Sequence, residues 1–207
     1  MPTMVSGYNV SFINPVLEAV SNVLTKMVQM EVTPGKPYVN KERTASGDVT
    51  GIIGLSGALT GVLSVTFEKD VILKITNTML EENYTEIDAN IADAVGELTN
   101  MITGQARMHL SKCGMPLKAS TPSVVMGKGH TISHITPAPI LSIPFSTAFG
   151  SFVVEITMSG PSTPKNDPPF EKVTLWTRPS KASKPDTTDK PDTTDKPDTT
   201  DKPDTTE

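Results

Sequence analysis

Apolar side chains recur every three or four residues in three stretches of the chain, and this spacing predicts three helices. The first opens at Asn14-Pro15, where asparagine suits the N-cap and proline suits the first helical position, and it ends at residues 33–37. The second covers residues 69–80, and the third and longest covers residues 87–111. The apolar positions of the first helix are Val16, Val20, Val23, Leu24 and Met27.

Runs of β-branched and apolar residues predict the first group of strands. Residues 38–43 are expected to form an edge strand. Residues 49–55 and 59–67 are expected to pair as a hairpin that turns at Ser56-Gly57-Ala58.

A second group of strands follows the longest helix. Residues 123–126 and a strand around Ile132 are expected on either side of a hairpin turn at Gly127-Lys128-Gly129. Another hairpin joins residues 140–146 to residues 152–158. Since the strands are joined mostly by short turns and the helices lie before and between the groups, the pattern predicts an α+β fold. It would have a largely antiparallel sheet with helices on one face.

The composition changes at Gly160. A proline- and polar-rich linker leads to the segment FEKVTLWT, and from Lys184 the hexapeptide KPDTTD occurs three times and ends as KPDTTE. A segment with no apolar side chain besides proline cannot offset the entropy lost on ordering, so this tail is expected to be disordered. The predicted organisation is a globular domain over 1–158, a linker with a short strand or docking segment over 159–183, and a disordered tail over 184–207.

Charge follows the same division. The chain has a net charge of −5, of which the tail, with four lysines and eight acids, carries −4. The body has 14 basic and 15 acidic groups and no basic stripe, which argues against nucleic-acid binding and against an anionic membrane surface. The single cysteine, Cys113, fits a reducing compartment, and no secretory signal or run of about 20 apolar residues is evident. The chain is therefore expected in the cytoplasm.

The longest predicted helix displays a polar pair opposite its apolar stripe. At about 100° per residue, the apolar stripe centres on Leu98, while Glu97 and Asn100 fall on the opposite face with Asp93 and Gly104. Because Glu97 and Asn100 are three residues apart, their side chains are neighbours on the helix surface.

A carboxylate beside a carboxamide suits half of a composite site, since neither group is a strong nucleophile and no histidine is placed to act as a base. The amide can donate to and accept from a water molecule, and the acid can bond a lysine or a metal-bound water of a partner. Phosphoryl transfer depends mainly on positioning and charge stabilisation, so two such groups can suffice. Taken alone, an E-x-x-N match is expected about once in a few hundred residues and is usually a solvated helix face.

The sequence around the pair resembles the CheX family of bacterial chemotaxis phosphatases, which is related to the CheC and FliY types. Residues 93–104 (DAVGELTNMITG) look like the signature helix of that family. The resemblance runs over residues 9–158 and does not continue after Gly160. Further segments similar to the family, in family order, are 12–15 (FINP), 46–49 (SGDV), 52–57 (IIGLSG) and 124–130 (VVMGKGH).

The resemblance implies a single domain in which a curved antiparallel sheet carries two long helices, often as a homodimer. It implies hydrolysis of the aspartyl phosphate of CheY or a CheY-like receiver domain. By position, Asn100 would orient the attacking water and Glu97 would contact the active-site lysine of the receiver. The Mg²⁺ would belong to the receiver, so no cofactor is expected on this chain. CheC proteins carry two such motifs, but here the first helix has Glu18 and Asn22, four apart, so one site per chain is expected.

Two further residues on the same face are candidate partner contacts. Asp93 can add to the contact with a partner, although an exposed acid on a helix needs no special cause. Gly104 lies one turn beyond Asn100, and a glycine there costs about 1 kcal/mol of helix stability relative to alanine. It either packs tightly against a neighbour in the chain or leaves room for the backbone of a partner, and the sequence favours neither.

A metal site is not expected. His130 and His134, four apart on a predicted strand, point to the same face, but no third ligand is evident.

Two functions of different classes fit these observations. The first is the phosphatase. The alternative is a non-catalytic docking module of the same fold that binds a receiver domain or a motor component. The intact pair of Glu97 and Asn100 favours the phosphatase, because a module that only binds has no need of both groups.

Overall fold

The structure, a computed structural model, describes residues 4–5, 8–42, 44–134 and 138–159. Its helices are α1 (Val10–Val28), α2 (Lys69–Leu80) and α3 (Ala89–Lys112), and none of these three is long and apolar enough to cross a membrane. The predicted linker, apart from Ser159, and the predicted tail lie outside the described residues. The strands are β1 (Met4–Val5), β2 (Tyr8–Asn9), β3 (Thr33–Pro34), β4 (Tyr38–Val39), β5 (Thr44–Gly57), β6 (Thr60–Phe67), β7 (Leu117–Ala119), β8 (Ser123–Ser133), β9 (Leu141–Thr147) and β10 (Gly150–Ser159).

Every strand pairing in the described part of the chain is antiparallel. The main sheet has the order β3-β9-β10-β6-β5-β7, with β4 also paired to β9 and β8 also paired to β5. α2 and α3 pack on one face of this sheet, and α1 packs against both of them. The two long helices are α1, with 19 residues, and α3, with 24. The predicted α+β fold class is confirmed.

The core lies between the helices and the sheet, because strand side chains alternate between the two faces. In β6, Leu63, Val65 and Phe67 are buried under the helices. The ring of Phe67 lies 5.2 Å from that of Phe152 in β10, which lies 5.0 Å from the ring of Phe145 in β9. Burying side chains of this size contributes about 1.5–3 kcal/mol each, so this layer is the main source of stability.

Several predicted elements are confirmed. α2 covers the predicted residues 69–80, and both predicted hairpins, β5–β6 and β9–β10, form. The first one turns at Ala58-Leu59 rather than at Ser56-Gly57-Ala58, because Ser56 and Gly57 still belong to β5 and pair with β7. α3 begins at Ala89 because Asp88 caps it: its carboxylate accepts from the backbone N–H of Asn90 and of Ile91, each at 3.0 Å. The bond from Ile91 is the main reason that the pKa of Asp88 lies below its ordinary value.

The predicted start of α1 was wrong. The helix begins at Val10, and Pro15 lies inside it rather than at its first position. A proline near the beginning of a helix removes only one internal hydrogen bond, that to the carbonyl four residues earlier. The gain from burying Val16 and the apolar residues that follow outweighs this loss.

Three predictions about the strands also need correction. The edge strand expected over 38–43 is reduced to β4, two residues that pair with Leu141 and Ser142 of β9. Thr33-Pro34, which was expected only to end the first helix, forms β3, and this strand also pairs with β9. β5 begins five residues earlier than predicted, at Thr44, because β8 provides a partner for this extension.

Gly127-Lys128-Gly129 is not a hairpin turn. β8 runs through these residues, and its pairing with β5 shifts register between Gly47 and Val49. The extra residues bulge out opposite Asp48, with φ at 157° for Gly127 and 64° for Gly129, values that a glycine adopts without strain. A local sequence cannot distinguish this bulge from a turn, because both need glycine.

Asp48 at this irregularity joins three elements. One oxygen of its carboxylate accepts from the backbone N–H of Lys69 at 2.8 Å, and the other accepts from the N–H of Gly129 at 3.3 Å. The first bond satisfies a free amide in the first turn of α2, where Glu68 makes no side-chain cap. Asp48 therefore links β5 to α2 and to the bulge in β8.

The sheet face away from the helices carries a buried polar network around Glu155 of β10, which is 1% exposed. One oxygen of its carboxylate accepts from Asn40 Nδ2 at 2.8 Å and from Ser142 Oγ at 2.6 Å. The other lies 3.0 Å from His134 Nε2. Burial raises the pKa of Glu155, but the bonds from His134, Ser142 and Asn40 outweigh it and the pKa lies below its ordinary value.

The position of α3 depends on a glycine in β5. A Cβ added at Gly51 would lie 3.0 Å from Thr99 Cβ and 3.2 Å from Val95 Cγ1, and would overlap Thr99 Oγ1. Thr99 is itself fixed, because its hydroxyl donates to the carbonyl of Val95 at 2.7 Å. Only glycine allows the helix to lie this close to the sheet.

We predict that Gly51→Ala lowers the free energy of unfolding by about 1–3 kcal/mol, because the helix must move away from the sheet. Gly54→Ala in the same strand is the control, since its Cβ would meet first the Ser120 hydroxyl, at 3.3 Å. Urea unfolding of both variants measures the difference. Equal losses in the two variants would contradict the proposed role of Gly51.

We predict that the free energy of unfolding of the wild type falls as the pH drops below 4.5, the ordinary pKa of a glutamate such as Glu155. Because the pKa of Glu155 is lowered on folding, its contribution is present above that value and is lost through the lower, folded pKa. Glu155→Gln should lower the free energy of unfolding at neutral pH and reduce its dependence on pH below 4.5. Unfolding measured from about pH 3 to about pH 7 tests both effects. The exposed Glu82→Gln serves as the control, and an unchanged slope in Glu155→Gln would refute the assignment.

Candidate functional site

The structure brings Glu97 and Asn100 together on the exposed face of α3, as the sequence predicted. Leu98, between them in sequence, is fully buried, which fixes the rotation of the helix. The three ion pairs of the described residues lie elsewhere, and neither Glu97 nor Asn100 bonds to another described side chain. Both groups are therefore available to a partner on a rigid element.

An open groove of about 510 Å³ runs beside this pair. One wall is α3, through Gly96, Glu97 and Asn100, and the other is the segment between β7 and β8 together with the start of β8. The lining residues of this second wall are Thr121, Pro122 and Val124.

Sequence reasoning missed the second wall. A Cβ added at Gly96 would lie 3.6 Å from Val124 Cγ2 and 4.0 Å from Pro122 Cγ, so Gly96 brings the two walls into near contact. The β-branched residues around Val124 predict a strand, but no local pattern relates that strand to a helix more than 20 residues away. The pairing of β8 with β5, beneath α3, creates this neighbourhood.

The two predicted partner contacts lie on the same exposed face. Asp93 is exposed and lines the groove one turn before Glu97. Gly104 is exposed, and a Cβ added there would meet no atom within 4 Å. Among the described residues, then, none packs tightly against Gly104, and the interpretation that it leaves room for a partner stays open.

The histidines take part in separate interactions. His130 Nε2 lies 2.7 Å from Thr50 Oγ1, and its Nδ1 lies 2.9 Å from the carbonyl oxygen of Gly127. His134 belongs to the network of Glu155. On α3, His109 is partly buried and pairs with Glu18 of α1 at 3.0 Å. Within the described ranges, no group of three or more acids, histidines and cysteines could hold a metal ion.

The pair on α3 can therefore orient a water molecule and contact a cation, but it needs a partner to supply the reacting group. Comparison with known proteins bears on which partner this is. Residues 49–146 match the family model described as chemotaxis phosphatase CheX. A crystal structure of a chemotaxis protein CheX from Desulfovibrio desulfuricans is 44% identical, with a TM-score of 0.69, over 72% of this chain and 99% of that one.

The chain belongs to the CheX family. The resemblance stated from the sequence is confirmed, and so is the fold that it implied.

Two relatives are described with a partner or substrate. The CheY-P phosphatase CheX of Thermotoga maritima is 27% identical over 135 residues, which cover 65% of this chain and 86% of that protein. A structure of a CheX–CheY–BeF₃–Mg²⁺ complex from Borrelia burgdorferi is 25% identical, with a TM-score of 0.62, over 71% of this chain and 97% of the matched one.

Proposed function

We propose that this CheX-family chain hydrolyses the aspartyl phosphate of a CheY-type receiver domain, with Asn100 orienting the attacking water and Glu97 contacting the lysine of the receiver. The observation that carries the proposal is the exposed, unpaired display of both side chains on one face of α3. The relative from Thermotoga maritima and the complex from Borrelia burgdorferi support the choice of substrate.

The chemistry fits a site with no nucleophile and no general acid. Water forms a new bond to phosphorus, the bond between phosphorus and the aspartyl oxygen breaks, and both protons of the water stay on the phosphate, which leaves as H₂PO₄⁻. The leaving group is a carboxylate, which is stable as an anion and needs no proton from an acid. The chain then has to hold the water in line with the breaking bond between phosphorus and oxygen. An amide side chain can do this by accepting one hydrogen bond from the water and donating another to it.

Glu97 has a different task in this proposal. Its carboxylate can form a charge-assisted hydrogen bond with an ammonium group, which fixes the receiver relative to Asn100. The Mg²⁺ that phosphoryl transfer requires would be held by the receiver, and we propose no cofactor on this chain. The receiver substrate and the single cysteine together favour the cytoplasm as the compartment.

We predict that Asn100→Ala lowers the rate of receiver dephosphorylation by roughly 100-fold or more, because the water is no longer held in line. The thermal unfolding midpoint should stay unchanged, since the side chain is exposed. The measurement is loss of phosphate from a phosphorylated CheY-type receiver with Mg²⁺ present.

Asn90→Ala provides the matched control, because it removes another exposed asparagine of α3, at about 15 Å along the helix axis. It should leave the rate unchanged. Normal turnover by Asn100→Ala would reject the catalytic assignment and favour the docking module.

We also propose that the chain forms a homodimer through the free edge of β8. Among the described strands, this 11-residue strand pairs only with β5. Val125 and Met126 on it are 37% and 48% exposed. A long edge with apolar side chains is a surface that another strand can extend.

We predict that Met126→Lys shifts the chain from dimer to monomer, because the charge opposes strand pairing at this edge. Light scattering after size-exclusion chromatography measures the mass. Leu80→Lys, which changes a residue of similar exposure (46%) on α2, should leave the mass unchanged. A wild-type chain that is monomeric at all concentrations would disprove the dimer.

A further inference from the structure

The exposed face of α3 extends beyond Asn100 toward the C-terminus of the helix. At about 100° per residue, Met101, Gly104 and Met108 fall on the same side of α3 as Glu97. We call these three residues the notch, because Gly104 leaves a gap between two methionine side chains. The notch begins next to Asn100 and reaches about 12 Å along the helix axis.

No residue in the described part of the chain covers the apolar side chain at the far end of the notch. Met108 is 52% exposed, the highest value among the exposed large hydrophobic residues of the described part. Met101 is half-buried against the core. Methionine is flexible and polarisable, and exposed methionines are common on surfaces that bind other proteins.

Gly104 provides an independent observation. A glycine in a helix interior weakens the helix, and such a residue is usually explained by a close neighbour. At Gly51 the neighbour is Thr99, but at Gly104 the space where a Cβ would lie is empty to 4 Å. The close neighbour that would explain Gly104 must therefore come from outside the described residues of the chain.

The size of a protein interface points to the same region. A specific complex buries about 800 Å² on each partner, or less in a transient encounter, and two polar side chains cannot supply this area. A receiver placed with its phosphoryl group at Asn100 also covers the adjoining turns of α3. The apolar part of this adjoining surface is the notch.

We propose that the notch is the docking surface for the receiver domain, with backbone or a small side chain of the receiver at Gly104 and apolar side chains against Met101 and Met108. This inference rests on the proposed function, because it takes the receiver as the occupant. It assigns affinity to the notch and turnover to Asn100, so the two can be tested separately.

The test is the dissociation constant of the full-length chain for a CheY-type receiver activated with BeF₃⁻ and Mg²⁺, measured by calorimetry. Met108→Gln keeps the length of the side chain but removes its apolar character, and it should weaken binding roughly tenfold or more. Leu80→Gln, at a similarly exposed position on α2, should change binding by less than about twofold. Met108→Leu should restore most of the affinity.

Gly104→Ala separates docking from folding. The substitution should raise the unfolding midpoint by about 2–4 °C, because alanine favours the helix and meets no neighbour. It should nevertheless weaken receiver binding by about threefold or more, since the gap is partly filled. A merely structural role would not combine higher stability with lower affinity.

The inference is overturned if Met108→Gln and Gly104→Ala bind the activated receiver as the wild type does, or if Leu80→Gln weakens binding equally. Asn100→Ala, measured in parallel, tests the proposed function by itself. Suppose that Asn100→Ala binds the receiver without hydrolysing its phosphate, while the notch variants bind normally. This result would support the phosphatase function and reject docking at the notch. Weaker binding by the notch variants with normal turnover by Asn100→Ala supports docking at the notch and rejects the catalytic role.

Discussion

The contact between α3 and the sheet at Gly51 is the constraint on which the position of the site depends. Thr99 and Val95 lie where any side chain at residue 51 would be, so the helix is held at a separation that only glycine permits. The buried residues Leu98 and Ile102 fix the rotation of the same helix. Separation and rotation together leave Glu97 and Asn100 exposed on a rigid element, which is what a positioning site requires.

The two faces of the sheet have different tasks. The face under the helices is apolar and supplies most of the stability, with three stacked phenylalanine rings among its buried residues. The other face holds the carboxylate of Glu155 in a network of hydrogen bonds. Such a network is costly to bury unless each group has partners, and Asn40, Ser142 and His134 provide them. The network also ties the sheet to the residues after β4 and after β8.

On α3, catalysis and recognition are proposed for adjacent parts of one surface. Glu97 and Asn100 are polar and lie beside the groove, whereas the notch is apolar and lies toward the C-terminus of the helix. This separation is useful for a phosphatase of this kind. Apolar contacts at the notch would hold the receiver, which leaves Glu97 and Asn100 to position the reacting groups.

The sequence by itself determined the parts whose signals are local. Helical spacing set α2 and the face on which Glu97 and Asn100 lie, and turn residues set both hairpins. The tertiary structure decided what depends on residues far apart in the chain. It made Gly127 to Gly129 a bulge rather than a turn, because β5 continues alongside. It also brought Pro122 and Val124 to the groove and placed no other described residue against Gly104. A sequence pattern records which side of its own element a residue faces, but only packing between elements determines what lies opposite that side.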